Sequence, residues 1–189
     1  MDLHHVGVFC ASSDSVDDVY LSAAAELGHC IATRGWTTLY GGGGTGLMGA
    51  LARAVLKHRT RIIGVRPSFI SDFEADQLGL DEMIPTQSMH ERIAIMFGLS
   101  SAFAILPGAC GTLDELMQAV TWKRLGLHNK PIVIINTLGF FDPMLAMFQR
   151  LTEHGFINNN FHGLYEVHEN AASAVESIAN HKPQAAAVI

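Results

Sequence analysis

The chain has 189 residues, of which 49% are hydrophobic and only 16% charged. That balance excludes intrinsic disorder and predicts one compact domain over residues 1–182, with a fraying tail at 183–189. A net charge of −6 without any Lys/Arg cluster argues against a nucleic-acid partner, and no apolar run approaches the roughly 18 residues of a membrane span.

In chain order, the start, Met-Asp-Leu-His-His, lacks the basic stretch of a signal peptide, so a cytoplasmic protein that does not engage membranes is expected. Val6 to Cys10 is a β-rich run bounded by the turn cluster Ala11-Ser12-Ser13-Asp14 and reads as a buried first strand. Asp14 or Ser15 is expected to cap the following helix, which Val16, Val19, Tyr20 and Ala23 stripe and Gly35 closes. Thr37 to Tyr40 forms a second strand running into Gly41-Gly42-Gly43-Gly44-Thr45-Gly46. An Ala/Leu/Met helix follows from Leu47 to Leu56, with Lys57, His58 and Arg59 near its negative end.

Gly41, Gly43 and Gly46 satisfy Gly-x-Gly-x-x-Gly. The dinucleotide fingerprint, however, belongs on a first strand with an acidic residue about 20 positions further on. Here the motif follows the second strand, and the next strand, Arg61 to Val65, ends in Arg66 and Pro67. The turn is weak evidence for NAD. It reads first as a cradle facing phosphate or ribose, and second as a tight turn that lets strand and helix approach closely. A Walker loop is excluded because Gly-Lys-Ser/Thr is missing.

Ser68 to Pro85 breaks into Phe69, Phe73, Leu78 and Leu80 amid acidic residues and suggests a surface excursion, a lid over the site. A helix begins near Ser88. Met89, Arg92, Ile93 and Met96 fall at i, i+3, i+4 and i+7, which puts Arg92 on or beside the apolar stripe. A guanidinium there either finds an anionic partner or snorkels to solvent, and spacing leaves both open.

Ala102 to Leu106 is the next strand, and it enters the turn Pro107-Gly108-Ala109-Cys110-Gly111-Thr112-Leu113-Asp114-Glu115 before a helical run to Leu125. A glycine-bearing turn between a buried strand and a helix directs unpaired N–H groups outward, where the helix dipole favours an anion. Glu115 stands one turn inside this phosphate seat. Thr112-x-x-Glu115 is equally a capping box, so catalysis and capping both remain open. Cys110 beside the helix start reads as a space-filling loop residue rather than a nucleophile, since no histidine lies near it in sequence.

Lys130-Pro131 introduces a strand from Ile132 to Asn136. Asp142 as N-cap and Pro143 at N1 open a helix to about His154, followed by a short run Leu164 to His168 and a last helix from Asn170. Cys10, Cys30 and Cys110 are odd in number and widely spaced, which fits reduced thiols. Ten scattered histidines offer no metal-ligand spacing, and no structural metal or cofactor is expected. Strands alternating with helices imply an α/β protein, a Rossmann-like three-layer sandwich with a mostly parallel sheet and its ligand beyond the strands' carboxyl ends.

Tyr40-Gly41-Gly42-Gly43-Gly44-Thr45-Gly46-Leu47-Met48-Gly49 resembles the first signature of the LOG family, cytokinin-activating phosphoribohydrolases long mislabelled lysine decarboxylases. Pro107 to Glu115 resembles their Pro-Gly-Gly-x-Gly-Thr-x-x-Glu signature, with support from Val8 to Ser13, Met89-His90-Glu91-Arg92, Thr121 to Gly126 and Gly155-Phe156-Ile157. The resemblance implies a homodimer that hydrolyses the N-glycosidic bond of a nucleoside 5′-monophosphate, N6-prenylated AMP or AMP itself, to free base and ribose 5-phosphate. Arg92 and Glu115 would be the catalytic pair, and Gly108, Gly111 and Thr112 would hold the phosphate. Gly42, Gly43 and Thr45 would border the nucleotide, with Met48, Met89 and Trp122 placed to receive an apolar base substituent.

Three positions depart from the family pattern: Ala109 replaces the signature's second glycine, Ile93 the lysine usual after the arginine, and Ser88 the usual Asp. Two other classes compete. A nucleotide carrier would use the same seats and leave Glu115 as a cap. A pyridoxal-dependent decarboxylase needs a Schiff-base lysine, and none of Lys57, Lys123, Lys130 and Lys182 lies in a glycine turn.

Overall fold

A computed structural model describes residues 5–70 and 78–181; the expected tail at 183–189 and Phe73 lie outside the described residues. The strands are β1 (His5–Phe9), β2 (Thr37–Tyr40), β3 (Ile62–Pro67), β4 (Glu82–Thr86), β5 (Ala102–Ile105), β6 (Ile132–Ile135) and β7 (Glu166–His168). Between them run α1 (Asp18–Thr33), α2 (Gly46–Lys57), α3 (Met89–Leu99), α4 (Cys110–Arg124), α5 (Asp142–Glu153) and α6 (Ala171–Asn180), with 3-10 turns at Thr137–Gly139 and Asn159–Leu164.

All seven strands are parallel, in the order β4-β3-β2-β1-β5-β6-β7. Parallel strands must be covered on both faces, and β2, β5 and β6 are buried at every position. Successive side chains therefore divide between two cores. Val6, Val8 and Cys10 pack towards α1, α2 and α6, while Phe9, Leu39, Ile63 and Val65 pack towards α3, α4 and α5. The result is the expected three-layer sandwich. The chain builds outward from β1 to β4, returns, and adds β5 to β7 on the other side. Strand order thus reverses at the β1–β5 pair, and the loops leaving those two strands diverge and open a crevice.

The structure corrects several sequence expectations. Helix α1 starts at Asp18 with Asp17 at its N-cap, later than a cap at Asp14 or Ser15. Asp14 is engaged elsewhere: its Oδ1 accepts from the Gly46 backbone N–H at 2.6 Å. The excursion expected from Ser68 to Pro85 ends sooner, because Glu82–Thr86 forms β4 at the sheet edge, paired with β3. Its half-exposed, proline-bearing sequence hides an edge strand from any hydrophobic pattern. Asp142 lies inside the first turn of α5 rather than at its cap, and its Oδ1 accepts from Asn136 Nδ2 at 2.7 Å. Of the short run from Leu164, Glu166–His168 becomes strand.

Candidate active site

A cavity of about 420 Å³ opens at the carboxyl edge of the sheet over the β1–β5 reversal, walled by the loops after β1, β2, β3 and β5. Its floor carries two charged side chains that are almost fully buried, Arg92 (6% exposed) and Glu115 (5%). Arg92 projects from the first turn of α3, which begins cleanly because Ser88 at the N-cap accepts from the Glu91 N–H. Arg92 Nη1 donates to Glu115 Oε1 at 2.6 Å, and Nε donates to the Val65 carbonyl at 3.1 Å. The guanidinium has found its anion and does not snorkel.

Glu115 is equally settled against the capping reading. Helix α4 begins at Cys110 with Ala109 at the N-cap, so Thr112 is already the third helical residue and Glu115 the sixth. A capping box needs them at N-cap and N3. Oε1 of Glu115 takes the Arg92 bond, and Oε2 has no protein hydrogen bond among the described residues. Burial raises the pKa of this carboxyl above its usual value. Arg92 opposes that by charge and hydrogen bond, and Asp114 adds to it. The nearby Cys10 thiol is pushed up, by burial first and then by the Glu115 charge, and stays protonated.

The two glycine turns differ in what they leave open. At α2 the Gly46 N–H is taken by Asp14, Thr45 Oγ1 donates to the Ser12 carbonyl at 2.6 Å, and the Met48 N–H donates to the Ala11 carbonyl at 3.2 Å. A side chain at Gly46, whose φ is +54°, would overlap the Ser13 carbonyl. This helix start is a packed joint between the loops after β1 and β2. At α4 the N-cap is an alanine whose side chain caps nothing; Ala109, Cys110 and Gly111 are exposed, and Ala109 and Gly111 line the cavity. The φ of Ala109 is −92°, so its methyl sits on the turn without strain where the family signature has glycine. The first turn is closed by its neighbours, whereas the second leaves the N–H groups of its helix start without a side-chain cap.

Of the residues singled out from sequence, Gly43, Thr45, Met89, Arg92, Gly111, Thr112 and Glu115 line the cavity. Gly42 and Gly108 are not in its wall: a Cβ on Gly42 would lie 3.0 Å from Met83 Sδ, and one on Gly108 would overlap Thr112. Gly41 takes the place expected of Gly42. A Cβ there would stand 2.7 Å from Arg92 Nη2, so the absent side chain is what admits the guanidinium. Met48 lines the cavity as expected, whereas Trp122 is absent from the wall and packs, partly buried, on the Phe97 ring of the core with centroids 4.7 Å apart. Sequence reasoning missed Ser12, Ser13, Arg66, Pro67, Ile70 and Asp114 as wall residues. For Ser12, Ser13, Arg66 and Pro67 the signal was their position at a strand's carboxyl end. No lysine lies in the described wall, so it does not fit a Schiff-base cofactor. Lys130 donates instead to the Phe97 carbonyl.

Residues 48–178 match the model of a family described as possible lysine decarboxylase. A probable cytokinin riboside 5′-monophosphate phosphoribohydrolase of Oryza sativa subsp. japonica is 40% identical over 150 residues, 79% of this chain and 67% of that one. A cytokinin riboside 5′-monophosphate phosphoribohydrolase of Arabidopsis thaliana is 32% identical over 177 residues, covering 94% of this chain and 83% of its own. Among solved structures, the molybdenum cofactor carrier protein of Chlamydomonas reinhardtii superposes with a TM-score of 0.72 at 25% identity, covering 93% of this chain and 96% of that one.

Proposed function

Since the chain belongs to the LOG family of cytokinin riboside 5′-monophosphate phosphoribohydrolases, we propose that it hydrolyses the N-glycosidic bond of a nucleoside 5′-monophosphate, AMP or an N6-substituted AMP, to free base and ribose 5-phosphate. The observation that carries this reading is the buried Arg92–Glu115 pair on the floor of a cavity whose rim is the uncapped start of α4. Departure of the base builds oxocarbenium character on the ribose, which a carboxylate facing C1′ stabilises while it directs water. Glu115 takes that role, and Arg92 fixes the carboxylate through a charge-assisted bond. The 5′-phosphate, seated on the N–H groups of Gly111 and Thr112, orients the sugar, and the binding energy so gained serves the reaction at C1′.

Release of base from AMP, followed by HPLC, tests the assignment. The purified protein should liberate adenine, and Glu115→Ala should lower kcat by a hundredfold or more, in line with losing an electrostatic stabiliser of the transition state. Undiminished turnover in Glu115→Ala would remove the carboxylate from the mechanism.

One second reading has an observation behind it, the likeness to a carrier protein, in which the seats hold a ligand and nothing is cleaved. A decarboxylase is not proposed, given that the wall has no lysine among the described residues. The protein is further proposed to be a cytoplasmic homodimer. Cys10, Cys30 and Cys110 are unpaired thiols, no helix among the described residues is long and apolar enough to cross a membrane, and α4 exposes Leu113 and Met117 one turn apart. Light scattering should return twice the chain mass.

A further inference from the structure

His29 and His58 take no part in the cavity, and in sequence they stand 29 positions apart with no ligand spacing between them. The fold brings them together. A Cβ on Gly28 would lie 2.7 Å from the Leu51 carbonyl oxygen and 3.0 Å from the Ala54 Cβ, so the bare backbone at that position lets α1 close directly on α2. His29, the next residue of α1, then reaches the end of α2, where His58 is the C-cap. Arg59 follows at a left-handed φ of +54°. The N–H groups of His58 and Arg59 donate back to the Val55 and Leu56 carbonyls at 3.0 Å each, so α2 ends in a closed turn that fixes where the second imidazole starts.

His29 Nδ1 and His58 Nε2 are 2.8 Å apart, with ring centroids at 4.8 Å, and both residues are exposed. Two neutral imidazoles at that separation share a single proton, one nitrogen donating and the other accepting. No other hydrogen bond holds either ring among the described residues. A metal ion in place of the shared proton makes both nitrogens ligands. Bonds of about 2.0–2.1 Å set at right angles separate two nitrogens by about 2.9 Å, whereas the tetrahedral angle spreads them to about 3.3–3.4 Å. The observed gap is that of neighbouring corners of a square or an octahedron. Charge bears on the same point from both sides. The end of α2 is the negative end of its dipole, and Glu26 stands one turn before His29 on α1, while Lys57 and Arg59 flank His58 and oppose a cation. Among the described residues no further His, Cys, Asp or Glu completes a cage, so water fills the remaining positions.

We propose that His29 and His58 form an open two-nitrogen chelate between α1 and α2 for a divalent ion of right-angled coordination, nickel or copper(II), in preference to zinc. The ion ties the end of α2 to α1 across the joint that Gly28 opens. The inference is independent of the hydrolase reading, because neither ring lines the cavity.

Titration calorimetry with Ni(II) and Zn(II) on the natural chain, His29→Gln, His58→Gln and the double variant tests it. Both positions are exposed, so all four proteins should melt alike without metal. Nickel should raise the melting temperature of the natural chain alone. Each single variant should weaken nickel binding by more than the roughly 10–100-fold that loss of a merely supporting group costs, and the double variant should lose little beyond that. At one equivalent of Cu(II), electron spin resonance should show coupling to two nitrogens in the natural chain and to one in each single variant. Nickel affinity unchanged in either single variant would put the ion elsewhere among the ten histidines and overturn the proposal. Zinc bound as tightly as nickel would overturn the right-angled geometry on which it stands.

Discussion

Arg92 and Glu115 meet at 2.6 Å with almost no water around them, an arrangement whose desolvation cost roughly cancels its attraction. A fold has little to gain from such a pair, whereas a reaction that develops positive charge beside it has much. The two contributions separate by substitution. Glu115→Ala leaves a buried, unpaired guanidinium and should cost about 3–5 kcal/mol of stability. The double variant Arg92→Met, Glu115→Leu should recover that stability or exceed the natural chain in urea unfolding, and release no base. A double variant as unstable as the single one would mean that the pair itself holds the fold. Protonation follows from the same burial. The carboxyl is held above its ordinary 4.5 by desolvation, with Arg92 pulling the other way. An acid whose folded pKa is raised contributes stability that is complete below its unfolded value and lost as pH rises through the folded one. Difference infrared spectra between the natural chain and Glu115→Gln should show a carboxyl titrating above pH 4.5, and higher still in Arg92→Met.

Helices α2 and α4 both follow a glycine turn at the same rim, and their starts do opposite work. The first is closed by Asp14, Ser12 and Ala11 from the neighbouring loop, and the second is left open. Alanine substitution reads the contrast directly. Gly46→Ala drives a methyl into the Ser13 carbonyl at a left-handed φ and should cost roughly 1–3 kcal/mol. Gly111→Ala meets nothing within 4 Å and should fold as well as the natural chain or better, yet raise KM for the nucleotide because its methyl enters the proposed phosphate seat. Thermal melts beside initial rates check both, and a Gly111→Ala protein with unchanged KM would clear that turn of phosphate binding. The contrast also shows how far sequence carries. The strands at Thr37, Ala102 and Ile132 and the helix starts near Ser88 and Asn170 were legible because period and apolar runs agree locally. What could not be read was which groups from distant loops fill a helix start. Asp14 looked like the cap of its own helix and instead caps one that begins 32 residues later. Thr112 and Glu115 looked like a box because nothing local marks Ala109 as the true cap. Trp122 looked available, and the Phe97 ring claims it.

At the scale of the molecule, a parallel sheet whose order reverses at β1–β5 supplies a crevice, and it would supply the same crevice to a carrier as to a hydrolase. What distinguishes the two is time. A ligand bound only by the folded chain adds about 2.7 kcal/mol of stability at a hundred times its dissociation constant. AMP should therefore raise the melting temperature of the natural chain and of Glu115→Gln alike, and adenosine, which brings no phosphate to the open start of α4, should raise it far less. On incubation the natural chain should lose its shift as ribose 5-phosphate and free base replace the nucleotide, while Glu115→Gln keeps it. A shift that persists undiminished in the natural chain is the behaviour of a holder rather than a catalyst. An equal shift with adenosine would place the anion somewhere other than α4, because the energy that orients the sugar over Glu115 would then come from the base and ribose alone.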